Sequence, residues 1–198
     1  LLAVRDGEID PYGFRLGGYD RTKPLVLDPA ILVYAGFIGG LNDDRATGIA
    51  VDGAGNAYVT GETVSDAITF PVNVGPDLVS NGGIDAFVAK VNADGSQLIY
   101  AGYIGGSGTD RGKAISLEPG CLANCSAYIA GETSSTQTTF PVTIGPDLTY
   151  NGGVDAFVAK VSADGTSLDF AGYIGGNLDD RANGIAVDAL GSVYVAGE

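Results

Sequence analysis

The chain repeats itself. Ala35-Gly36-Phe37-Ile38-Gly39-Gly40 returns as Ala101-Gly102-Tyr103-Ile104-Gly105-Gly106 and as Ala171-Gly172-Tyr173-Ile174-Gly175-Gly176, at offsets of 66 and 70 residues. Asp44-Arg45 returns at the same offsets as Asp110-Arg111 and Asp180-Arg181. Gly61-Glu62 returns as Gly131-Glu132 and Gly197-Glu198 with the two offsets reversed, so the four extra residues of the middle copy fall between Ile115 and Gly131. Segments 81–106 and 151–176 agree at 20 of 26 positions. Faithful copies at this period mean that one supersecondary unit recurs, and that neighbouring copies bury their faces on one another.

Each unit reads as four short strands: Gly48–Asp52, Asn56–Gly61, Asp85–Val91 and Leu98–Ile104 in the first full copy. They are rich in Val, Ile, Tyr and Phe, with Gly, Asn and Asp between them, and no segment carries the i, i+3, i+4 apolar spacing of a helix. Four antiparallel strands every 66–70 residues is the arithmetic of a β-propeller blade; a β-solenoid coil is much shorter. The fold class expected is therefore all-β, an incomplete arc of about two and a half blades. Within it, residues 30–198 form the partial propeller: an outer strand at 31–40, blades at 46–106 and 112–176, and a half blade at 182–198. Residues 1–29 read as the tail of an upstream domain or a linker.

Composition narrows the function. The 198 residues hold 24 Asp and Glu against 10 Lys and Arg, a net charge of −14, which repels phosphate backbones and excludes nucleic acid as a partner. There is no His, hence no Ser-His-Asp triad, no Cys-His dyad and no His-ligated metal. The longest apolar run, 31–40, is half a membrane span, so no transmembrane segment is expected. Gly105-Gly106-Ser107-Gly108 lacks the Lys-Ser/Thr and the helix of a phosphate-binding loop.

A four-strand meander puts its tight turns, 52–56 and 92–95, at one end and its long connections, 39–47 and 63–84, at the other. Long loops on a rigid scaffold are where binding residues concentrate. The candidate binding residues on that face are Asp44, Arg45, Phe70, Asp110, Arg111, Phe140, Asp180 and Arg181. The acidic loops offer a candidate calcium set, Asp43, Asp44, Asp110, Asp179 and Asp180, because hard cations take several carboxylate and carbonyl oxygens. No Asp-x-Asp-x-Asp-Gly loop is present, and the Arg after each Asp favours ion pairing within or between blades. Otherwise no cofactor is expected. Paired carboxylates alone hydrolyse glycosides, yet each conspicuous acid here has a repeat partner, whereas a catalytic group is needed once. Asp52, Asp94 and Asp164 stand where turns want Asp, and the strand alternation points Lys90 and Lys160 outward. Each Phe-Pro pair, at 70–71 and 140–141, reads first as a plug holding its loop to the blade. Cys121 and Cys125, in the middle copy's insertion, read as a local disulfide worth roughly 2 kcal/mol on chain-entropy grounds, a chemistry that suits an exported protein.

The order Tyr-Ile-Gly-Gly, Asp-Arg, Gly-Ile-Ala-Val-Asp, Asn-Ala-Tyr-Val-Thr-Gly-Glu-Thr, then Phe70-Pro71 and Asp85 to Lys90, repeated at Phe140-Pro141 and Asp155 to Lys160, resembles the SBBP (seven-bladed β-propeller) repeat family over about 31–198. Gly13-Phe14-Arg15-Leu16, Tyr19-Asp20 and Pro24 to Pro29 resemble the end of an uncharacterised domain that often precedes these repeats. The resemblance implies a large secreted or cell-surface bacterial protein.

The function expected is a non-enzymatic extracellular scaffold or recognition propeller module. Its partners would be the remaining blades and upstream domain of the same polypeptide, and a polysaccharide or surface protein held on the long-loop face. The alternatives are a carbohydrate-active propeller enzyme with a carboxylate site in the ring centre, and a purely structural spacer.

Overall fold

In a computed structural model of the chain, residues 34–198 are described, together with two short strands before them, β1 (Val4–Arg5) and β2 (Glu8–Ile9), which pair antiparallel. The chain divides into two compact units, Leu1–Leu32 and Val33–Glu198. The tail read at 1–29, and the residues resembling an upstream domain, otherwise lie outside the described residues.

The second unit is all-β, with no helix among its described residues. Strands β3 (Asp44–Val51), β4 (Ala57–Thr63), β5 (Asp85–Val91) and β6 (Leu98–Ile104) form one antiparallel sheet in chain order. A second sheet repeats it with β7 (Asp110–Leu117), β8 (Ala127–Thr133), β9 (Asp155–Val161) and β10 (Leu168–Ile174). β11 (Ala182–Val187) and β12 (Val193–Gly197) pair as the first half of a third. These are propeller blades, and they do not close into a ring. β7 packs on β3, β4 and β5 of the sheet before it, and β11 on β7 and β8, so the first strands stand side by side.

Alternation along the strands explains the stacking. In β5, Ala86 and Val88 join Tyr58 and Ile104 in a core shared with Phe157, Ala159 and Val161 of the next blade. Phe87 and Ala89 point the other way, into a cluster with Phe70, Ala101 and Tyr103. The second sheet is thus packed on both faces, its Phe157 side toward the first sheet and its Ala130/Ala156 side toward the third, while Ile49 and Val51 of the first sheet stay exposed. Each first strand carries a bulge at the same repeat position, between Ala46/Gly48, Gly112/Ala114 and Ala182/Gly184. Opposite it stands Gly61, Gly131 or Gly197, where any Cβ would run into the carbonyl oxygen of Arg45, Arg111 or Arg181.

Two boundaries differ from those expected. The outer strand placed at 31–40 lies partly outside the described residues, and 34–40 is not a strand. Its repeat equivalents in β6 and β10 pair with β5 and β9, whereas no described strand pairs with 34–40. Tyr34 packs instead on the 92–95 turn, where Gly95 has φ 71° and no room for a Cβ, as Tyr100 does on Gly165. The first strands also begin earlier than the expected Gly48, so Asp44, Arg45, Asp110 and Arg111 are strand residues rather than loop residues. Finally, part of the long connection is no free loop. Its Asn73–Asp77 stretch runs along the outer edge of β6, with Ala101 N–H donating to Val74 O (2.8 Å) and Tyr103 N–H to Asp77 O (2.8 Å). Thr143–Asp147 does the same for β10, which covers both sheet edges that would otherwise invite pairing.

Candidate functional site

The recurring Asp of the Asp-Arg pair is a hydrogen-bond hub. Asp110 accepts from Thr133 Oγ1, from Ser135 Oγ at 2.8 Å and from Gly106 N–H at 2.8 Å. Asp44 repeats this with Thr63, with Ser65 Oγ at 3.2 Å and with Gly40 N–H at 2.7 Å, and Asp180 accepts from Gly176 N–H at 2.7 Å. The side chain therefore ties the Gly-Gly turn entering a blade to the end of that blade's second strand. Ser and Thr two residues apart on the β4 and β8 exits are the signal for this arrangement, and sequence reasoning passed over them.

The arginines find glutamates instead of those aspartates. Arg45 Nη1 meets Glu62 at 3.2 Å, and Glu62 also receives Arg111 Nε from the next blade at 2.7 Å. Arg111 Nη1 reaches Glu132 at 3.1 Å, and Glu132 further pairs with Lys113 at 3.4 Å and Arg181 at 3.2 Å. Each glutamate bridges its own blade's arginine and the following one, making a ladder across three sheets. Among the described residues only Arg181 pairs with an acid of its own loop, Asp179, at 2.8 Å. The Arg45 side chain is 75 % exposed and its pair contributes little, whereas Glu132 is buried among three cations and carries the tie between the second and third sheets.

A polar groove of about 370 Å³ lies at the start of the ladder, lined by Asp43, Asp44, Arg45, Glu62, Val64 and Ile84. It gathers three of the residues singled out in the sequence. Asp43 and Asp179 are both exposed; Asp43 holds Val64 through its carbonyl oxygen, and Asp179 accepts Val154 N–H at 3.2 Å. Among the described residues no cluster of three or more Asp, Glu, His or Cys side chains is placed to hold a metal ion.

Phe70 and Phe140 are each 2 % exposed. Phe70 packs on Phe87 (5.2 Å between centroids) and Tyr103 (5.5 Å), and Phe140 on Phe157 and Tyr173 at 5.2 and 5.4 Å. They are plugs, out of reach of a ligand. The exposed apolar residues of the same connections include Val64, Ile68 and Val79 in the first and Ile144 and Leu148 in the second.

At the opposite end, Cys121 and Cys125 form the disulfide. The loop it closes leans back on the preceding blade: Cys125 N–H donates to Tyr58 Oη at 3.0 Å, and Asn124 Oδ1 accepts from Lys90 at 3.1 Å. Lys90 is therefore fully buried, 4.8 Å over the Tyr58 ring, and burial holds its ammonium below the usual lysine range. The outward placement expected of it fails because the disulfide loop of the next blade covers that face. Lys160 is only partly buried and pairs with Asp169 at 3.2 Å. Asp94 and Asp164 accept turn N–H groups at 2.9 and 3.0 Å, and Asp52 accepts those of Ala54 and Asn56.

One feature of the site was not legible in the sequence. Asp85, Asp110 and Asp155 are at most 1 % exposed, and burial raises all three carboxyl pKa values. Asp85 lies on β5 and Asp110 opens β7, so this pair sits at the junction of two blades. The Asp110 N–H donates to Ile84 O at 2.8 Å, and Asp180 N–H to Val154 O at 2.6 Å.

Residues 34–75 match the family model of the SBBP beta-propeller repeat. The matched stretch runs from Tyr34 through β3 and β4 to Gly75, and its strings recur at 100–145 and 170–198. No curated protein matches the chain.

Proposed function

We propose that the chain is a non-enzymatic scaffold and recognition module, the propeller portion of a larger secreted or cell-surface bacterial protein, that holds protein or polysaccharide on its long-loop face. The observation that carries this reading is the groove of Asp43, Asp44, Arg45 and Glu62, whose wall includes the exposed Val64. It offers charged donors and acceptors next to an apolar surface, the mixture that sugar hydroxyls or a peptide would use. Asp44, Arg45 and Glu62 recur in the next blade as Asp110, Arg111 and Glu132 and are held by neighbouring side chains, as building groups are, which disfavours a catalytic role. The disulfide is compatible with an oxidising compartment.

The test is binding of the chain to arrayed bacterial and plant polysaccharides and to surface-protein extracts. Arg45→Ala with Val64→Glu is expected to reduce binding at least tenfold while leaving the melting temperature within about 2 °C, since both side chains are exposed. Binding indifferent to these changes would move the site elsewhere, and release of sugar products from the array would replace the reading with an enzyme.

A further inference from the structure

The blade junctions hold carboxylates whose charge no described side chain balances. Asp85 Oδ2 accepts from Ser80 Oγ and Asn81 N–H, both at 3.0 Å, but its Oδ1 is buried with no hydrogen-bond partner. A Cβ on Gly105 would run into that orphan oxygen and stand 2.9 Å from Asp110 Oδ2, so oxygens of both carboxylates crowd the same glycine. The next junction repeats the arrangement. Asp155 Oδ1 is likewise buried and unpartnered, and the Cβ point of Gly175 lies 2.6 Å from it and 3.0 Å from Asp180 Oδ2. No ion pair reaches Asp85, Asp110 or Asp155 among the described residues, and the nearby Arg111 and Arg181 are engaged by Glu62 and Glu132.

A buried carboxylate oxygen without a partner is costly, and two carboxylates crowding one glycine are costlier. Either a proton or a cation can relieve the cost. Five donors, from Ser80, Asn81, Thr133, Ser135 and Gly106, already point at the two groups and favour their ionised forms. The carbonyl oxygens of Gly106 and Gly108 crowd Gly82, three residues before Asp85, at 2.5 and 2.7 Å from its Cβ point. Carboxylate oxygens, with no nitrogen or sulfur donor among them, suit a hard cation such as calcium rather than zinc.

We propose that each blade junction binds one calcium ion between the third strand of one blade and the entry of the next, Asp85 with Asp110 and Asp155 with Asp180. The glycines at 105 and 175 are then required because a Cβ there would run into the carboxylate oxygens and displace the proposed ligands. The ion would cross-link neighbouring blades without closing any functional groove, so the inference stands apart from the recognition reading above.

The test is titration of the whole chain with Ca²⁺ and with Tb³⁺. Terbium luminescence would be sensitised through Tyr103, which feels the charge of Asp85, and Tyr173, which feels those of Asp110 and Asp155. Two ions per chain are expected, with Ca²⁺ raising the melting temperature by several degrees over EDTA at affinities of about 10⁻⁴–10⁻³ M. Asp85→Asn with Asp155→Asn is expected to abolish both signals, while Asp94→Asn, at an exposed turn, leaves them intact. Asn keeps the acceptor for Ser80 and Asn81 and removes a buried charge, so the metal-free double variant is expected to melt no lower than the wild type. Absence of saturable binding in the wild type, or binding that survives in the double variant, overturns the proposal. Should the double variant not fold, Gly105→Ala decides: it must weaken one of the two terbium sites, and two intact sites overturn the assignment.

Discussion

Tyr100 is buried to its hydroxyl, which has no hydrogen-bond partner, and burial raises its pKa. The repeat itself supplies the control, because the equivalent residue of the second blade is Phe170. Tyr100 keeps its place through ring contacts, edge-on to Tyr58 at 6.3 Å and against Gly165 of the next blade. An unpaired buried hydroxyl costs about 1–3 kcal/mol, so Tyr100→Phe is expected to raise unfolding stability by up to about 1–2 kcal/mol. Urea denaturation checks this, and a loss of stability would mean that the hydroxyl has a partner. Lys90 shows the opposite solution at the same interface, since its buried ammonium is met by an aromatic face and by Asn124. Neither outcome was legible from strand alternation. Period-2 patterning separates the faces of a strand, but it does not say which neighbour covers each face.

At the scale of elements, the Phe-Pro connections do the work of a fifth strand. Phe140 anchors the connection on Phe157 and Tyr173, and the following Thr143–Asp147 stretch hydrogen-bonds along β10. Phe140→Ala removes a buried aromatic and is expected to cost about 3–5 kcal/mol, with earlier proteolysis within 134–154 as the local sign. A stable variant with an unaltered cleavage pattern would mean that the backbone bonds alone hold the connection. Strand existence, strand order and the disulfide were legible because the repeats align turn signals as well as apolar positions. What escaped the sequence depends on contacts between units. The first strands begin at Asp44 and Asp110 rather than later because Thr63 and Thr133 bond those aspartates and the Arg-Glu pairs hold the ends together. The aspartate and arginine of each Asp-Arg pair looked like partners, yet adjacent strand residues point to opposite faces, so each found a different partner across the ladder.

At the scale of the molecule, charge decides how the blades respond to solvent. The chain carries −14 overall, and its buried junction carboxylates respond to pH in the opposite direction from its turn carboxylates. Burial raises the pKa of Asp85, Asp110 and Asp155, so the folded state holds their protons more tightly than the unfolded state does. Their contribution is fully present below the unfolded value and is lost as pH rises through the folded value. Hydrogen bonds lower the pKa of Asp94 (from Ser96), Asp147 (from Thr149 and Asn151) and Asp164, the last to about 2 through Ser162 and Thr166. Their contribution is present above the unfolded value and disappears as pH falls through the folded one. Metal-free protein is therefore expected to gain stability as pH falls from neutrality through the raised values of the junction carboxylates, and to lose it again below about pH 4, where the turn carboxylates protonate. Asp85→Asn with Asp155→Asn should flatten the upper limb and leave the lower one, because the turns are untouched. Calcium should reverse the upper limb, since protons and the ion compete for the same carboxylates, and the calcium-loaded chain should weaken as pH falls. Melting curves across pH, in EDTA and in Ca²⁺, read both limbs at once. A metal-free protein that only loses stability from neutrality downward would show that the junction carboxylates are ionised and satisfied in the fold, with no unbalanced charge left to explain.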